Sequence, residues 1–345
     1  MLNLQDIHFE KKNMKIFITG GAGYCGSRLT RQLLDHGHSV TVYDACYFGT
    51  AGLPLDDSKL KLIKGDIRDV DLLKKSLVGH EVFIHLACIS NDASFELDES
   101  LSTSINLDAF HPIVKAAKQK GITRFIYASS SSVYGVSSAP EVTEDHELIP
   151  LTLYNKYKGM CEPILFSEAT ENFTCVTFRP ATVCGYSPRQ RLDLSVNILT
   201  NLAVNKGEIT VFGGDQRRPN IHIQDYVDVV ELLISAPKEL VQKQIFNVGN
   251  QNATISEIAL MVKNIVEKQF PEKIPIKIIS TSSNDNRSYH INSDKIESLL
   301  GFRARRTIED AVIELCEAFK NGMIPNSLED DSYFNVRTLM RNNVQ

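Results

Sequence analysis

The sequence predicts an α/β fold, a doubly wound parallel sheet with a smaller C-terminal α/β lobe, on three observations. Short β-branched or aromatic runs alternate with longer helical patterns up to about residue 180. The first of these runs passes directly into a glycine-rich turn and a helix. Beyond residue 180 the rhythm breaks into turn-rich pieces between further helices. Alternation of the first kind places helices on both faces of a parallel sheet.

The elements follow in order. Strands are expected at 15–19 (KIFIT), 39–43 (SVTVY), 61–63, 82–87 (VFIHLA), 124–128 (RFIYA) and 174–178 (TCVTF). Each is a strand-length apolar run. Helices are expected near 24–36, 69–78, 102–120 and 154–170. Pro163 falls inside the last of these and should cost a backbone hydrogen bond or mark a kink. In the second half, helices near 193–205, 225–235, 254–269 and 307–320 are separated by turn-rich pieces such as GGDQRRPN (213–220) and STSSNDNRS (280–288). The segment 221–250 reads as a return to the main sheet.

Bulk properties narrow the function. The 345 residues are 43% hydrophobic and 23% charged, with a net charge of −5 and no basic stripe that would suit nucleic acid. The longest apolar runs, such as Val82 to Ile89, are strand-sized, so no membrane span is expected. The first 13 residues lack an apolar core and are read as a loose extension, not a signal peptide. Seven cysteines, an odd count with no C-x-x-C spacing, point to free thiols in a reducing cytoplasm and to no metal site.

Strand KIFIT leads into Gly20-Gly21-Ala22-Gly23-Tyr24-Cys25-Gly26 and then a helix. Gly20, Gly23 and Gly26 permit a tight turn, close approach to a pyrophosphate and close helix–strand packing. The helix N-terminus offers free N–H groups to an anion. Asp44 closes the second strand, where a carboxylate would accept from an adenosine ribose diol. This is a Rossmann-type dinucleotide site, and the expected division is 1–13 extension, 14–180 dinucleotide domain, 181–330 substrate lobe and 331–345 tail. No Lys or Arg lies between Asp44 and Lys59, so NAD is favoured over NADP. Asp66, in Gly65-Asp66-Ile67, is either an adenine contact or a helix N-cap.

Farther along, ASSSSVYG (128–135) ends an apolar strand in four hydroxyls, and Tyr154-Asn155-Lys156-Tyr157-Lys158 opens a helix. Tyr154 and Lys158 are four apart and share a helix face. A phenol is a poor base near pH 7, and a neighbouring ammonium together with an oxidised nicotinamide would favour its phenolate. Such a tyrosine can take a proton from a substrate hydroxyl.

These motifs resemble the extended short-chain dehydrogenase/reductases that act on nucleotide sugars. The likeness runs over nearly the whole chain, through TGGAGYCG (19–26), Asp44, GDI (65–67), HLA (85–87), Asn106, SSSSVYG, YNKYK, RRPNIHI (217–223), NRSY (286–289) and LGF (300–302). It implies Tyr154, Lys158 and Ser130 as the catalytic group. It implies NAD held by Gly20, Gly23, Tyr24, Cys25, Gly26, Asp44, Asp66, Ile67, Leu86, Ala87, Asn106, Tyr154 and Lys158. A nucleotide-diphosphate sugar would lie against Ser131, Thr182, Asn197, Arg218 and Arg287. A homodimer built on helices 102–120 and 154–170 is also implied.

In that family the two positions after the catalytic Ser or Thr separate the branches. The 4,6-dehydratases carry Asp-Glu, decarboxylating members a Glu at the second position, and 3,5-epimerases a Cys there. Here both are Ser, as in the uronic-acid 4-epimerases. The resemblance therefore implies a 4-epimerase acting through a 4-keto sugar, with hydride passing to NAD and back. A 4-dehydrogenase or 4-ketoreductase with exchangeable NAD(H) is the alternative, and a non-catalytic dinucleotide-binding protein is a further one that the intact Tyr–Lys pair disfavours. Two departures stand out: Thr182 replaces the usual Asn, and YSPRQRLD (186–193) is unusual. Arg191 and Arg217 are cations that either face solvent or join the site. His85, His222 and Cys184 read as structural.

Overall fold

A computed structural model describes residues 13–137, 139–273, 275–281 and 290–342. Arg287, the NRSY element and most of the N-terminal extension lie outside the described residues. Among the described residues, no helix is long and apolar enough to cross a membrane.

Seven parallel strands form the central sheet: β1 (Lys15–Thr19), β2 (Ser39–Asp44), β3 (Leu60–Lys64), β4 (Val82–His85), β5 (Arg124–Ala128), β6 (Thr174–Pro180) and, arriving later in the chain, β10 (Gln244–Val248). Their spatial order is β10-β6-β5-β4-β1-β2-β3. Side chains alternate across the sheet because the strand period is two. Ile16 and Ile18 enter one core with Val40, Ile84 and Val176, while Phe17 enters the other with Tyr43, Phe83 and Phe125. Phe83 and Phe125 stack in register at 4.6 Å.

Helices cover both faces. The first half carries α1 (Tyr24–Asp35), α2 (Val70–Ser76), α3 (Asp92–Phe95), α4 (Glu99–Thr103), α5 (Phe110–Gln119) and α6 (Leu153–Ser167). Strand order reverses between β1 and β4, and such a switch point opens a crevice at the carboxyl ends of the strands.

The smaller lobe contains a three-stranded sheet of β11 (Gln251–Thr254), β9 (Arg217–His222) and β7 (Thr182–Cys184), and a parallel pair of β8 (Glu208–Phe212) with β12 (Lys277–Thr281). The helices of the second half are α7 (Ser195–Lys206), α8 (Ile223–Ser235), α9 (Lys238–Val241), α10 (Ile255–Gln269), α11 (Asp294–Leu300), α12 (Ile308–Lys320) and α13 (Asn335–Arg341). Val196, Leu199, Ile258, Val262 and Val312 make the lobe's own core. Capping boxes at Thr254–Glu257 and Thr307–Asp310 satisfy the first N–H groups of α10 and α12.

One helix differs from expectation, and another contains the expected proline. The span 102–120 is not one helix, because a π-helical turn, Ser104–Asp108, separates α4 from α5. Helix α6 continues through Pro163 to Ser167. It is anchored at that point by Glu162, which accepts two hydrogen bonds from Arg179 of β6 at 2.9 and 2.6 Å.

Candidate active site

A cavity of about 610 Å³ opens at the switch point, between the ends of β1 and β4 and the lobe. Gly20 turns the chain with φ +77°, and a Cβ there would lie 2.6 Å from the Ala87 nitrogen. A Cβ on Gly26 would fall 2.2 Å from the Gly20 oxygen. The loop therefore presses against the β4 exit, Leu86-Ala87, and α1 starts at its mouth with no acidic residue in the first turn. That combination of bare backbone and uncompensated N–H groups fits a pyrophosphate.

The remaining predicted cofactor residues fall on both sides of the loop. Asp44 accepts from the backbone N–H of Ala22 at 3.0 Å and of Cys46 at 2.7 Å. Burial raises its pKa, and the same two N–H groups oppose the rise. Asp66 lines the cavity beside Ile67, and Arg68 grips its carboxylate through Nε and Nη2. Burial works to raise that carboxyl, but Arg68 outweighs it and the pKa is lowered. Gly23, Tyr24, Leu86 and Ala87 also line the cavity, as does Cys25, whose thiol burial pushes up to about 12.

Two of the expected site residues do not line the cavity. Asn106 sits in the π turn and pins Ile89, accepting from its N–H at 2.8 Å and donating to its carbonyl at 2.9 Å. Both ends of the amide are thus used on backbone, and Asn106 shapes the wall without lining the cavity. Asn197 is fully buried. Its amide accepts from Gly185 N–H at 3.0 Å and donates to the Tyr24 hydroxyl and the Arg191 carbonyl. It ties the lobe to α1 and lies behind the cavity wall.

Tyr154, Lys158 and Ser130 meet in the cavity. Thr152 caps α6 through the Asn155 N–H, which fixes the first turn that carries Tyr154. Lys158 donates from Nζ to the Ala128 carbonyl at 2.8 Å and lies 5.2 Å from the Tyr127 ring centre. Ser130 begins a tight turn and accepts from the Ser132 N–H at 3.2 Å. The Ser130 and Ser132 hydroxyls are 2.8 Å apart, and Ser132 donates to Asn155 Oδ1 at 2.5 Å. Ser131 is buried at the cavity edge, while Thr182 and Arg218 reach it from the lobe.

The protein's own groups do not lower the Tyr154 pKa as expected. Burial pushes the phenol well above its ordinary range, and Cys88 and Asp92 add to the rise. Arg191 and the Asn91 N–H act in the opposite direction. The Lys158 ammonium is turned toward the Ala128 carbonyl of β5.

Several site residues carry no local signal. Arg189 and Arg191, from the unusual 186–193 segment, are 7% and 8% exposed and line the cavity. Asn335 and Leu339 of the C-terminal helix α13 line it too. Asn91 holds φ +73° next to Tyr154. The departure at 186–193 was visible beforehand, and so was Arg191 as a cation that either faces solvent or joins the site, whereas Arg189, Asn335, Leu339 and Asn91 were not. His222 faces Glu314 at 3.2 Å, and Cys184 is buried in the lobe core. Among the described residues no cluster of three or more His, Cys, Asp or Glu is arranged for a metal.

Comparison with known proteins agrees with this geometry. Residues 16–249 match the model of the NAD dependent epimerase/dehydratase family. A UDP-glucose 4-epimerase of Lactobacillus helveticus is 28% identical over 327 residues, 87% of this chain and 95% of that protein. A dTDP-glucose 4,6-dehydratase of Streptomyces niveus is 24% identical over 330 residues, 89% and 93% of the two chains. The UDP-glucose 4-epimerase structure from Thermotoga maritima, solved with UDP-glucose, superposes with a TM-score of 0.78 at 23% identity, covering 90% of this chain and 100% of that one. With a glycine loop, the Asp44 carboxylate and a Tyr–Lys pair in one cavity, the chain belongs to the NAD dependent epimerase/dehydratase family and is an NAD-dependent enzyme.

Proposed function

We propose that the protein is a nucleotide-sugar 4-epimerase working through a 4-keto sugar. One observation carries the reading. Beside Tyr154, where a dehydratase would need an acid and a base for C5 and C6, the chain offers the hydroxyls of Ser131 and Ser132. Asp92, the carboxylate that acts on Tyr154, is already engaged by the Thr152 hydroxyl at 2.6 Å. Chemistry confined to C4 needs no further acid.

A bound NAD would supply the acceptor and then the donor of the C4 hydride, and its oxidised ring would be a cation favouring the Tyr154 phenolate. Tyr154 accepts the proton of the C4 hydroxyl and later gives it back. Lys158 holds the nicotinamide ribose, and Ser130 holds the C4 oxygen. The glycine loop and Asp44 seat the dinucleotide, with Gly20, Gly23 and Gly26 toward the pyrophosphate. Arg218 grips the sugar-nucleotide diphosphate, with Arg287 as its second cation, and Thr182 and Ser131 border the sugar. The outer faces of α5 and α6 form a homodimer contact in this reading, and the enzyme works in the cytoplasm.

The test is mass spectrometry of NAD released on denaturation, followed by incubation with a panel of nucleotide sugars. Near-stoichiometric NAD and an isobaric product without added cofactor are expected. An empty protein whose product shifts by two mass units, only with NAD or NADH supplied, would overturn the epimerase in favour of a dehydrogenase or reductase.

A further inference from the structure

Arg189 and Arg191 are buried cations in the wall of the cavity that the glycine loop also lines. Each has a buried N–H without a partner, Nε of Arg189 and Nη2 of Arg191. Burial, and then repulsion from Arg191, push the Arg189 pKa down to about 9. A guanidinium keeps its proton at neutral pH, so Arg189 is a charge held largely out of water. Both guanidiniums act on the thiol of Cys25, in the first turn of α1. Both line the same cavity as Gly20, Gly23 and Gly26, and the Arg189 N–H donates to the Ser27 hydroxyl of α1 at 3.2 Å. Arg189 also acts on Asp44 and stacks over the Phe48 ring at 3.9 Å.

The arginines are held by a distant part of the chain. Asn335, at the start of α13, accepts from Arg189 Nη2 at 2.8 Å and donates to Ser90 Oγ at 2.9 Å. Its own N–H donates to Asp193 at 3.0 Å, the carboxylate that pairs with Arg191 Nε at 2.5 Å. Arg191 Nη1 reaches the same Ser90 hydroxyl at 3.1 Å. Farther along α13, Leu339 lines the cavity, and just beyond its end Asn342 donates to the Tyr47 carbonyl at 2.7 Å. Both polar atoms of the Asn335 side chain, and its backbone N–H, are therefore used to fix this wall.

We propose that Arg189 and Arg191 grip the NAD pyrophosphate from the side opposite the glycine loop, and that α13, through Asn335, locks them in that position. NAD is then clamped between the two halves of the chain, and cofactor binding and docking of the C-terminal helix stabilise each other reciprocally. Asn335 acts through the arginines and is a positioning residue.

The test uses the full chain and the variants Arg189→Ala, Arg191→Ala, Arg191→Lys and Asn335→Ala. NAD retained through purification is counted by mass spectrometry. After exchange of bound NAD, calorimetric titrations with NAD, ADP-ribose, adenosine, NADP and UDP follow. A ten- to hundred-fold weaker binding of NAD and ADP-ribose is expected for the Arg→Ala variants, with adenosine and UDP unchanged. Asn335→Ala should weaken the same two ligands less, and Arg191→Lys should recover part of the loss. In the parent protein, bound NAD should also slow proteolytic removal of the segment after Asp330. Unchanged ADP-ribose binding, or a loss confined to UDP, overturns the proposal, the latter assigning the arginines to the substrate diphosphate. A loss seen with NADP alone overturns it by placing them at the ribose 2′ position. If Arg191→Ala does not fold, Arg191→Lys and Asn335→Ala carry the same comparison. All of these readouts are binding, so they stand apart from the fate of the 4-epimerase reading.

Discussion

Acidification should destabilise this fold through His85, and the size of the effect follows from the surroundings of the ring. His85 ends β4, is 4% exposed, and lies with Nδ1 2.8 Å from the Thr19 hydroxyl. Phe110 meets it edge-on at 5.4 Å. Burial, and then the Lys158 charge, push its pKa down from 6.5 to about 3. The folded protein keeps the ring neutral where an unfolded chain takes up a proton. A base depressed in this way contributes its stability fully above 6.5 and loses it as pH falls toward 3. At about 1.4 kcal/mol per pH unit, the loss is about 2 kcal/mol at pH 5 and about 3 kcal/mol at pH 4. The assay is urea unfolding of the parent and of His85→Asn at pH 7, 5 and 4. Asparagine still offers Thr19 a hydrogen-bonding group and takes up no proton. The variant should be the less stable at pH 7, and the gap should narrow by about 2 kcal/mol by pH 5. A gap that stays constant, or an imidazole that titrates near 6.5 by NMR in the folded protein, refutes the reasoning.

Three further outcomes follow from the same contacts. Gly26→Ala drives a Cβ to 2.2 Å from the Gly20 oxygen and 2.7 Å from the Gly21 Cα, all backbone, so the purified variant should carry no NAD by mass spectrometry. Glu162→Gln leaves Arg179 buried beside a neutral partner, with both side chains 3% exposed in the parent. Urea unfolding should show a loss of about 3–5 kcal/mol, the cost of breaking a buried pair from one side. Ser132→Ala interrupts the hydroxyl chain between Ser130 and Asn155, and steady-state kinetics should show kcat lower by about tenfold with KM little changed, as for an interaction made only in the transition state.

The first half was legible because a parallel sheet buries both faces of its strands, which then read as unbroken apolar runs. KIFIT and RFIYA become β1 and β5 at the expected bounds. In the second half the four expected helices appear as α7, α8, α10 and α12, but the lobe's strands were not legible where they are short or exposed. β7 has three residues, and every residue of β12 is exposed, so neither leaves a period to count. The π turn escaped for a different reason, since Asn106 is fixed by the backbone of Ile89 across 17 residues. The glycine loop, Asp44 and the Tyr–Lys pair were visible because local spacing defines each of them. Asn335 was not, because its partners stand 146 and 245 residues away and no local pattern encodes such contacts. The same holds for the argument that no cation lies near Asp44. It is true of the sequence between Asp44 and Lys59, and Arg189 arrives from elsewhere.

The serine block, finally, has a positive role that its lack of carboxylates alone does not convey. Ser129 extends the sheet, its N–H donating to Phe178 at 2.9 Å, and its hydroxyl leans on the Lys158 carbonyl. Ser130 and Ser132 form a line that ends on Asn155 Oδ1, which only accepts. Ser132 therefore gives its one proton to Asn155, and Ser130 gives its own to Ser132. Ser130 then meets an oxygen in the cavity through a lone pair, which suits a hydroxyl. The Asn155 Nδ2 atom is buried and unpartnered. Turning the amide over would place that N–H on Ser132, reverse both bonds and release the Ser130 proton toward the cavity, which suits a carbonyl. An ionised carboxylate at position 132 only accepts and lacks that second setting. In the proposed reaction the C4 oxygen alternates between hydroxyl and carbonyl while the rest of the sugar is untouched, and a reversible line of hydroxyls closed by an amide serves both forms.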